Sequence, residues 1–201
     1  MNQELNYKAS SAITESIQVK TKLLEQCTGQ IETIGKKLAN ALQKGGKILL
    51  CGNGGSAADS QHLAAELVVR LRSQINRKAI PAIALTVDTS ILTAGGNDIG
   101  FENVFARGVE AYGSQGDVLI AISTSGNSEN VIRAVDEAKK RKIMTIGLLG
   151  GSGGKLASQC DESVIVPSNI TARIQESHIL IGHIWCEMIE EILFPELFLK
   201  K

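Results

Sequence analysis

The chain has 201 residues, enough for one domain with a proper core. Lys+Arg and Asp+Glu balance at 21 each for a formal net charge of +0, so there is no basic footprint for nucleic acid or an anionic membrane. No apolar run approaches the roughly 20 residues of a membrane span, and the polar start MNQELNYK is not a signal peptide. Cys27, Cys51, Cys160 and Cys186 are scattered without a CxxC pair; reduced, mostly packed thiols suit a cytoplasmic protein.

Residues from about 4 to 44 read as helical, with Ile13, Ile17, Leu23, Leu24, Ile31, Ile34, Leu38 and Leu42 near helical spacing and Gly45-Gly46 ending the run. This stretch precedes the first strand and is therefore not a crossover. Its apolar stripe fits packing on a partner subunit or on the same subunit.

Lys47 to Glu66, KILLCGNGGSAADSQHLAAE, follows. Ile48-Leu49-Leu50-Cys51 reads as a buried strand, Gly52 to Ser56 as a flexible turn, and an alanine-rich helix is expected from Ala57. A strand, a glycine turn and a helix N-terminus bring free N–H groups and the positive end of the helix dipole to one point, which suits an anion. One turn on, His62 and Glu66 are spaced i,i+4 on one helix face.

Arg72 to Lys78 reads as an exposed polar loop, and Ala82 to Thr86 as a second strand after Pro81. Thr89 to Ala94 predicts a short helix broken by Gly95-Gly96, with Asn97 and Asp98 in an irregular segment; Phe101 to Tyr112 predicts another helix. Asp117 to Ile122 is a third strand, running into Ser123-Thr124-Ser125-Gly126-Asn127-Ser128 and a helix over 129–142. Ile143 to Leu148 is a fourth, ending in the glycine turn 150–154. A short helix, the strand Glu162 to Val166, and one long helix from Thr171 to about Phe194 complete the chain.

Apolar strands alternating with helices indicate α/β architecture. The expectation is a single domain over 1–201: a helical arm over 1–44, then a core over 45–201 with a five-stranded, mainly parallel sheet flanked by helices, a three-layer sandwich of flavodoxin type. Ligands bind such sheets at the strand carboxyl ends, from which both Gly/Ser turns leave.

Nucleotide readings of the turns fail on spacing. Gly52-Asn53-Gly54 with Ala57 loosely fits a dinucleotide fingerprint, but the first acid after the second strand is Asp88, well past the expected distance of about 20 residues. A Walker loop at Gly154-Lys155 would need glycine in place of Leu149 and Ser or Thr in place of Leu156. The Ser123–Ser128 loop is the better phosphate cradle, since four hydroxyls in six residues exceed what a helix cap requires. Gln175 and His183 lie two i+4 steps apart, about 12 Å along a helix axis, so they converge only by leaning inward or between subunits. His178 falls off that ridge and reads as structural.

These stretches resemble the sugar isomerase (SIS) domain and, within it, bacterial phosphoheptose isomerases. The resemblance rests on CGNGGSAADSQHLAAEL, LTVDTSILTAGGND, GDVLIAISTSGNSENV and VPSNITARIQESHILIGHIWCEMIE, in that order. It implies an aldose–ketose isomerisation of sedoheptulose 7-phosphate to D-glycero-D-manno-heptose 7-phosphate, at the start of heptose supply to lipopolysaccharide or other surface glycans. It also implies a homotetramer with sites between subunits. By resemblance, Ser123, Thr124, Ser125 and Ser128 hold the phosphate; Asn53, Gly54, Gly55, Asn97, Asp98 and Gln175 line the substrate, with Arg70, one turn after Glu66, in reach as well. Some members bind zinc through residues matching His62, Glu66, Gln175 and His183. Glu66 is then the base and His183 the acid of an ene-diol mechanism. The base works better if partial burial raises its pKa, and zinc would polarise the carbonyl. Tight ligation would take both residues out of proton transfer, which leaves open metal exchange during turnover or an activating, non-obligatory metal.

A relative in the same family is a non-catalytic tetramer that binds the bacterial replication initiator, and this is the alternative reading. That regulator lacks counterparts of Glu66 and His183; both are present here, as are Gly55 and Asp59. Two positions depart from the isomerase pattern. Leu149 stands where Thr is common, with an expected effect on the crevice edge, and Ser60 where Ala is usual.

Overall fold

The computed structural model describes residues 3–198, and side chains from residue 8 onward; the outermost residues of the expected 1–201 span lie outside it. Strands β1 (Ile48–Gly52), β2 (Ala82–Ala84), β3 (Val118–Ser123), β4 (Met144–Gly150) and β5 (Glu162–Val166) form one sheet in the order β2-β1-β3-β4-β5. Every pairing is parallel, with Leu50 beside Ile120 and Ile120 beside Ile146. The chain order reverses between β1 and β3, and the crevice at their carboxyl ends is where such sheets bind ligands. Among the described residues no helix is long and apolar enough to cross a membrane.

The helices are α1 (Gln3–Gln43), α2 (Gly55–Val68), α3 (Thr89–Asp98), α4 (Val104–Tyr112), α5 (Glu129–Lys140), α6 (Leu156–Gln159) and α7 (Thr171–Leu193). Alternate strand residues serve two cores. Ile48, Leu50, Ile120 and Ile122 pack under α1, α2 and α7, while Leu49, Cys51, Leu119 and Ala121 pack under α4 and α5. Both faces are covered, so the strands read as continuous apolar runs rather than alternating ones.

The N-terminal stretch is one unbroken helix, and most of it packs on its own chain. Leu23, Ile31, Ile34, Leu38 and Leu42 are buried, each stabilising by about 1.5–3 kcal/mol. Trp185 of α7 donates to the Ile31 carbonyl at 3.0 Å, and Arg173 donates to Ala12 O at 2.8 Å. Ile13, Ile17 and Leu24 are left 61, 60 and 69% exposed.

Several expected bounds shift by a residue or two, β2 ending at Ala84 and α5 at Lys140 among them, and three expectations change more. The helix after β1 begins at Gly55, two residues before Ala57. Helix α3 continues through Gly95-Gly96 to Asp98, so Asn97 and Asp98 sit in a helical turn rather than an irregular segment. Gly95 is there for close approach: a Cβ would stand 3.0 Å from Val104 Cγ2. Asp88 starts this helix, accepting from Ile91 N at 2.9 Å. The segment 72–78 is not simply exposed, because the Arg77 side chain has no solvent exposure.

Candidate active site

α2 and α7 lie side by side and parallel in register. Early in both, the Gln175 amide faces Gly55, where an added Cβ would be 2.4 Å from Nε2. At mid-length Gly182 meets Leu63, and a Cβ on Gly182 would approach Leu63 Cδ2 to 2.5 Å. This close packing brings His183 to His62, Nε2 to Nε2 at 2.9 Å with the rings edge-on. Glu66 Oε1 lies 3.3 Å from His62 Nε2, and its side chain is 18% exposed against 48% for His62. Asp59, one turn before His62, has an unpartnered buried Oδ2, and burial pushes its carboxyl above the usual range.

Gln175 and His183 therefore reach different turns of α2. Two ring nitrogens and a nearby carboxylate make a zinc-type donor set. Among the described residues, however, no group of three or more His, Cys, Asp or Glu side chains already stands in metal-holding geometry. The donors fit zinc in kind; Glu66 or Gln175 would have to swing toward the His62–His183 pair to complete a site.

The serine loop leaves β3 opposite. Ser128 is at the N-cap position of α5, yet its hydroxyl makes no capping bond. Instead it lies 3.1 Å from Ser123 Oγ, which also accepts from Gly126 N at 3.1 Å. A loop built only to cap α5 would spend the Ser128 hydroxyl on the first-turn N–H groups; the Val131 N–H is taken by the Ser128 carbonyl, and the earlier N–H groups and the helix dipole suit an anion. Ser123 is buried, Thr124 and Ser128 half-buried, and Ser125 exposed. The second glycine turn supports this loop backbone to backbone. Gly126 has φ +66°, and a Cβ there would overlap Gly153 O, so no other residue fits. Between the two turns lies a polar cavity of about 290 Å³, lined by Thr124, Ser125, Ser152, Asn169 and Thr171 among others.

Asn53 faces the crevice and is clamped by Asn130 of α5, their amides exchanging two 2.8 Å hydrogen bonds. Sequence reasoning missed Asn130, which looks like one more polar residue in a helix's first turn. Gly54, at φ +55°, is exposed beside it. Asn97 donates to Asp98 at 2.7 Å, and both are exposed on the surface. Arg70 is exposed and lies past the end of α2 at Val68, so it does not continue the Glu66 ridge.

His178 is fully buried, its Nε2 3.0 Å from the Leu149 carbonyl and its Nδ1 without a partner. Leu149 contributes its side chain to the core under α5 rather than to the crevice edge, so that expectation is corrected. Ser60 is buried with its hydroxyl satisfied by Ser56 O at 2.8 Å.

The SIS domain model matches residues 13–150. A phosphoheptose isomerase of Clostridium acetobutylicum is 55% identical over 186 residues, spanning 92% of this chain and 94% of that one. This chain belongs to the SIS domain family, among the phosphoheptose isomerases. The phosphoheptose isomerase of Aneurinibacillus thermoaerophilus is 49% identical over 198 residues, 98% of this chain and 99% of its own. In three dimensions the chain is similar to the phosphoheptose isomerase of Neisseria gonorrhoeae, with a TM-score of 0.88, 44% identity, and coverage of 93% of this chain and 99% of that one. The reading as a non-catalytic binder of a replication initiator has no support among these relatives.

Proposed function

We propose that this chain is an aldose–ketose isomerase that converts sedoheptulose 7-phosphate to D-glycero-D-manno-heptose 7-phosphate. The observation that carries the reading is the convergence of Glu66, His62 and His183, in a chain that also carries an uncapped serine loop at the carboxyl end of β3 and is 55% identical to a phosphoheptose isomerase.

In this mechanism Ser123, Thr124, Ser125 and Ser128, with the α5 N-terminus, take the phosphate, and Asn53, Gly54, Gly55 and Gln175 position the sugar. The Glu66 carboxylate removes a proton from C1 of the ketose. The C1–H electron pair forms the C1–C2 double bond of an ene-diol, and the carbonyl oxygen O2 gains a proton from His183. Collapse reverses the pattern: Glu66 returns its proton to C2, His183 takes the O1 proton, and an aldehyde forms at C1. One carboxylate serves both carbons because they are adjacent. His62, Glu66, Gln175 and His183 are the residues that would hold zinc. When bound, zinc supplies Lewis acidity to the substrate carbonyl.

Assembly as a homotetramer fits the exposed Ile13, Ile17 and Leu24 on α1 and the apolar recess of about 180 Å³ beside edge strand β2, rimmed by Val87, Ile91 and Tyr112. Asn97, Asp98 and Arg70, exposed in a single chain, belong in this reading to a site completed at a subunit contact. The reaction opens heptose supply for surface glycans, including lipopolysaccharide, and the enzyme works in the cytoplasm. A coupled assay on sedoheptulose 7-phosphate, with and without a zinc chelator, tests the reading. Conversion supports it, and the chelator arm decides the metal's role. Unchanged substrate in both arms, from a folded assembly, overturns it.

A further inference from the structure

Arg77 comes from the polar segment between α2 and β2, yet its side chain has no solvent exposure. Its guanidinium has four partners. Nη2 donates to the Glu66 carbonyl at 2.7 Å, Nη1 donates to the Leu67 carbonyl at 2.8 Å and to the carbonyl of its neighbour Lys78 at 3.0 Å, and Nε donates to Glu190 Oε1 at 2.8 Å. The first two are carbonyls of the last turn of α2, which end without intrahelical partners. The Glu190 carboxylate of α7 is also fully buried and accepts from Arg72 Nε at 3.1 Å and more loosely from Leu71 N at 3.4 Å.

One buried side chain thus caps α2 at the residue proposed as base and is neutralised by α7. Glu190 lies seven residues, about 10 Å, past His183 on α7. A charge-neutral hydrophobic seam would hold two helices together but tolerate sliding. A forked guanidinium fixed at Glu66 O, Leu67 O and Glu190 Oε1 sets the helix-to-helix register.

We propose that Arg77 and Glu190 are positioning residues that hold the Glu66 turn of α2 in register with His183 of α7, an inference that rests on the isomerase reading of that site. Neither touches substrate. Their role is to keep the base and the acid at a fixed spacing from one another.

The test separates positioning from bulk stability. Replacing a buried ion pair by apolar side chains of similar volume is often neutral for folding, whereas breaking one partner is not. Arg72, the other partner of Glu190, keeps Glu191 and the Glu187 carbonyl, so the double variant Arg77→Met/Glu190→Leu is expected to unfold near the wild-type temperature. Its kcat on sedoheptulose 7-phosphate is expected to fall about tenfold or more, the scale of a sub-ångström misplacement, with KM within about threefold. Amide exchange at Val69, whose N–H closes the last turn of α2 onto Ala65 O, is expected to quicken in the same variant. Wild-type kcat and wild-type exchange in a folded double variant would overturn the proposal and leave the pair a packing feature. If the double variant fails to fold, Arg77→Lys decides by the same two readouts: it keeps the charge facing Glu190 but cannot fork to both carbonyls. A wild-type chain without turnover would defeat the isomerase reading alone, and the exchange result would still decide the register claim.

Discussion

His62 and His183 stand 121 residues apart in sequence and 2.9 Å apart in space, ring nitrogen to ring nitrogen. Only one of the two Nε2 atoms can carry the proton of a hydrogen bond between them; when both rings are protonated on Nδ1, both lone pairs point at one place. The contact exists because Gly182 lets α7 close onto Leu63. Glu66 completes the group from the next turn of α2.

Glu66→Gln keeps the shape and removes the base. Turnover is expected to be lost while the oligomer and unfolding temperature stay near wild type, checked by steady-state assay and light scattering. An active Glu66→Gln chain would reassign the proton transfer at carbon.

His183→Ala removes the proposed acid and one partner of His62. A kcat loss of about 100-fold or more is expected, the usual contribution of a positioned general acid. A loss confined to KM would make His183 a binding residue instead.

Ser125→Ala deletes an exposed hydroxyl that accepts from Asn127 N at 3.2 Å. Folding stability is expected to change by less than about 0.5 kcal/mol, as for most surface substitutions, while KM for the sugar phosphate rises. Unchanged KM, with inorganic phosphate competing as it does in the wild type, would point away from this loop as the phosphate site.

His178 gives the structure an acid-sensitive point. Burial pulls its pKa down from 6.5 to about 4, against a hydrogen bond to Leu149 O that acts the other way. The unfolded state therefore binds the proton more readily. The neutral ring's full contribution is present above pH 6.5 and shrinks as pH falls from there toward 4, by about 1.4 kcal/mol per pH unit. Urea unfolding at pH 7 and pH 5 is expected to show a loss of about 2 kcal/mol in the wild type and a smaller loss in His178→Gln. Equal losses would show that other groups govern the acid limb.

The architecture was legible because strands buried on both faces are continuous apolar runs, and Glu162–Val166 came out with its expected bounds. The serine loop stands out in the sequence because four hydroxyls in six residues are more than a cap uses, and in the structure the Ser128 side chain makes no cap bond; its phosphate role belongs to the proposed function. Tertiary packing hid the rest. Gly95-Gly96 reads as a break but lies inside a helix, where Gly95 closely approaches Val104. Arg77 reads as solvent-facing, since nothing local announces that Glu190, 113 residues later, will neutralise it. The Asn53–Asn130 clamp and the His62–His183 contact likewise depend on which elements the fold sets side by side.

The central claim is that protons move between adjacent carbons of a sugar phosphate through an ene-diol. Incubating the chain with sedoheptulose 7-phosphate in D2O for many turnovers, and reading the aldose product by NMR, tests it most directly. The account predicts heptose 7-phosphate carrying solvent deuterium at C2, and neither product nor exchange with Glu66→Gln. Product that keeps its carbon-bound hydrogen fully through repeated turnover, or no product at all, would contradict it.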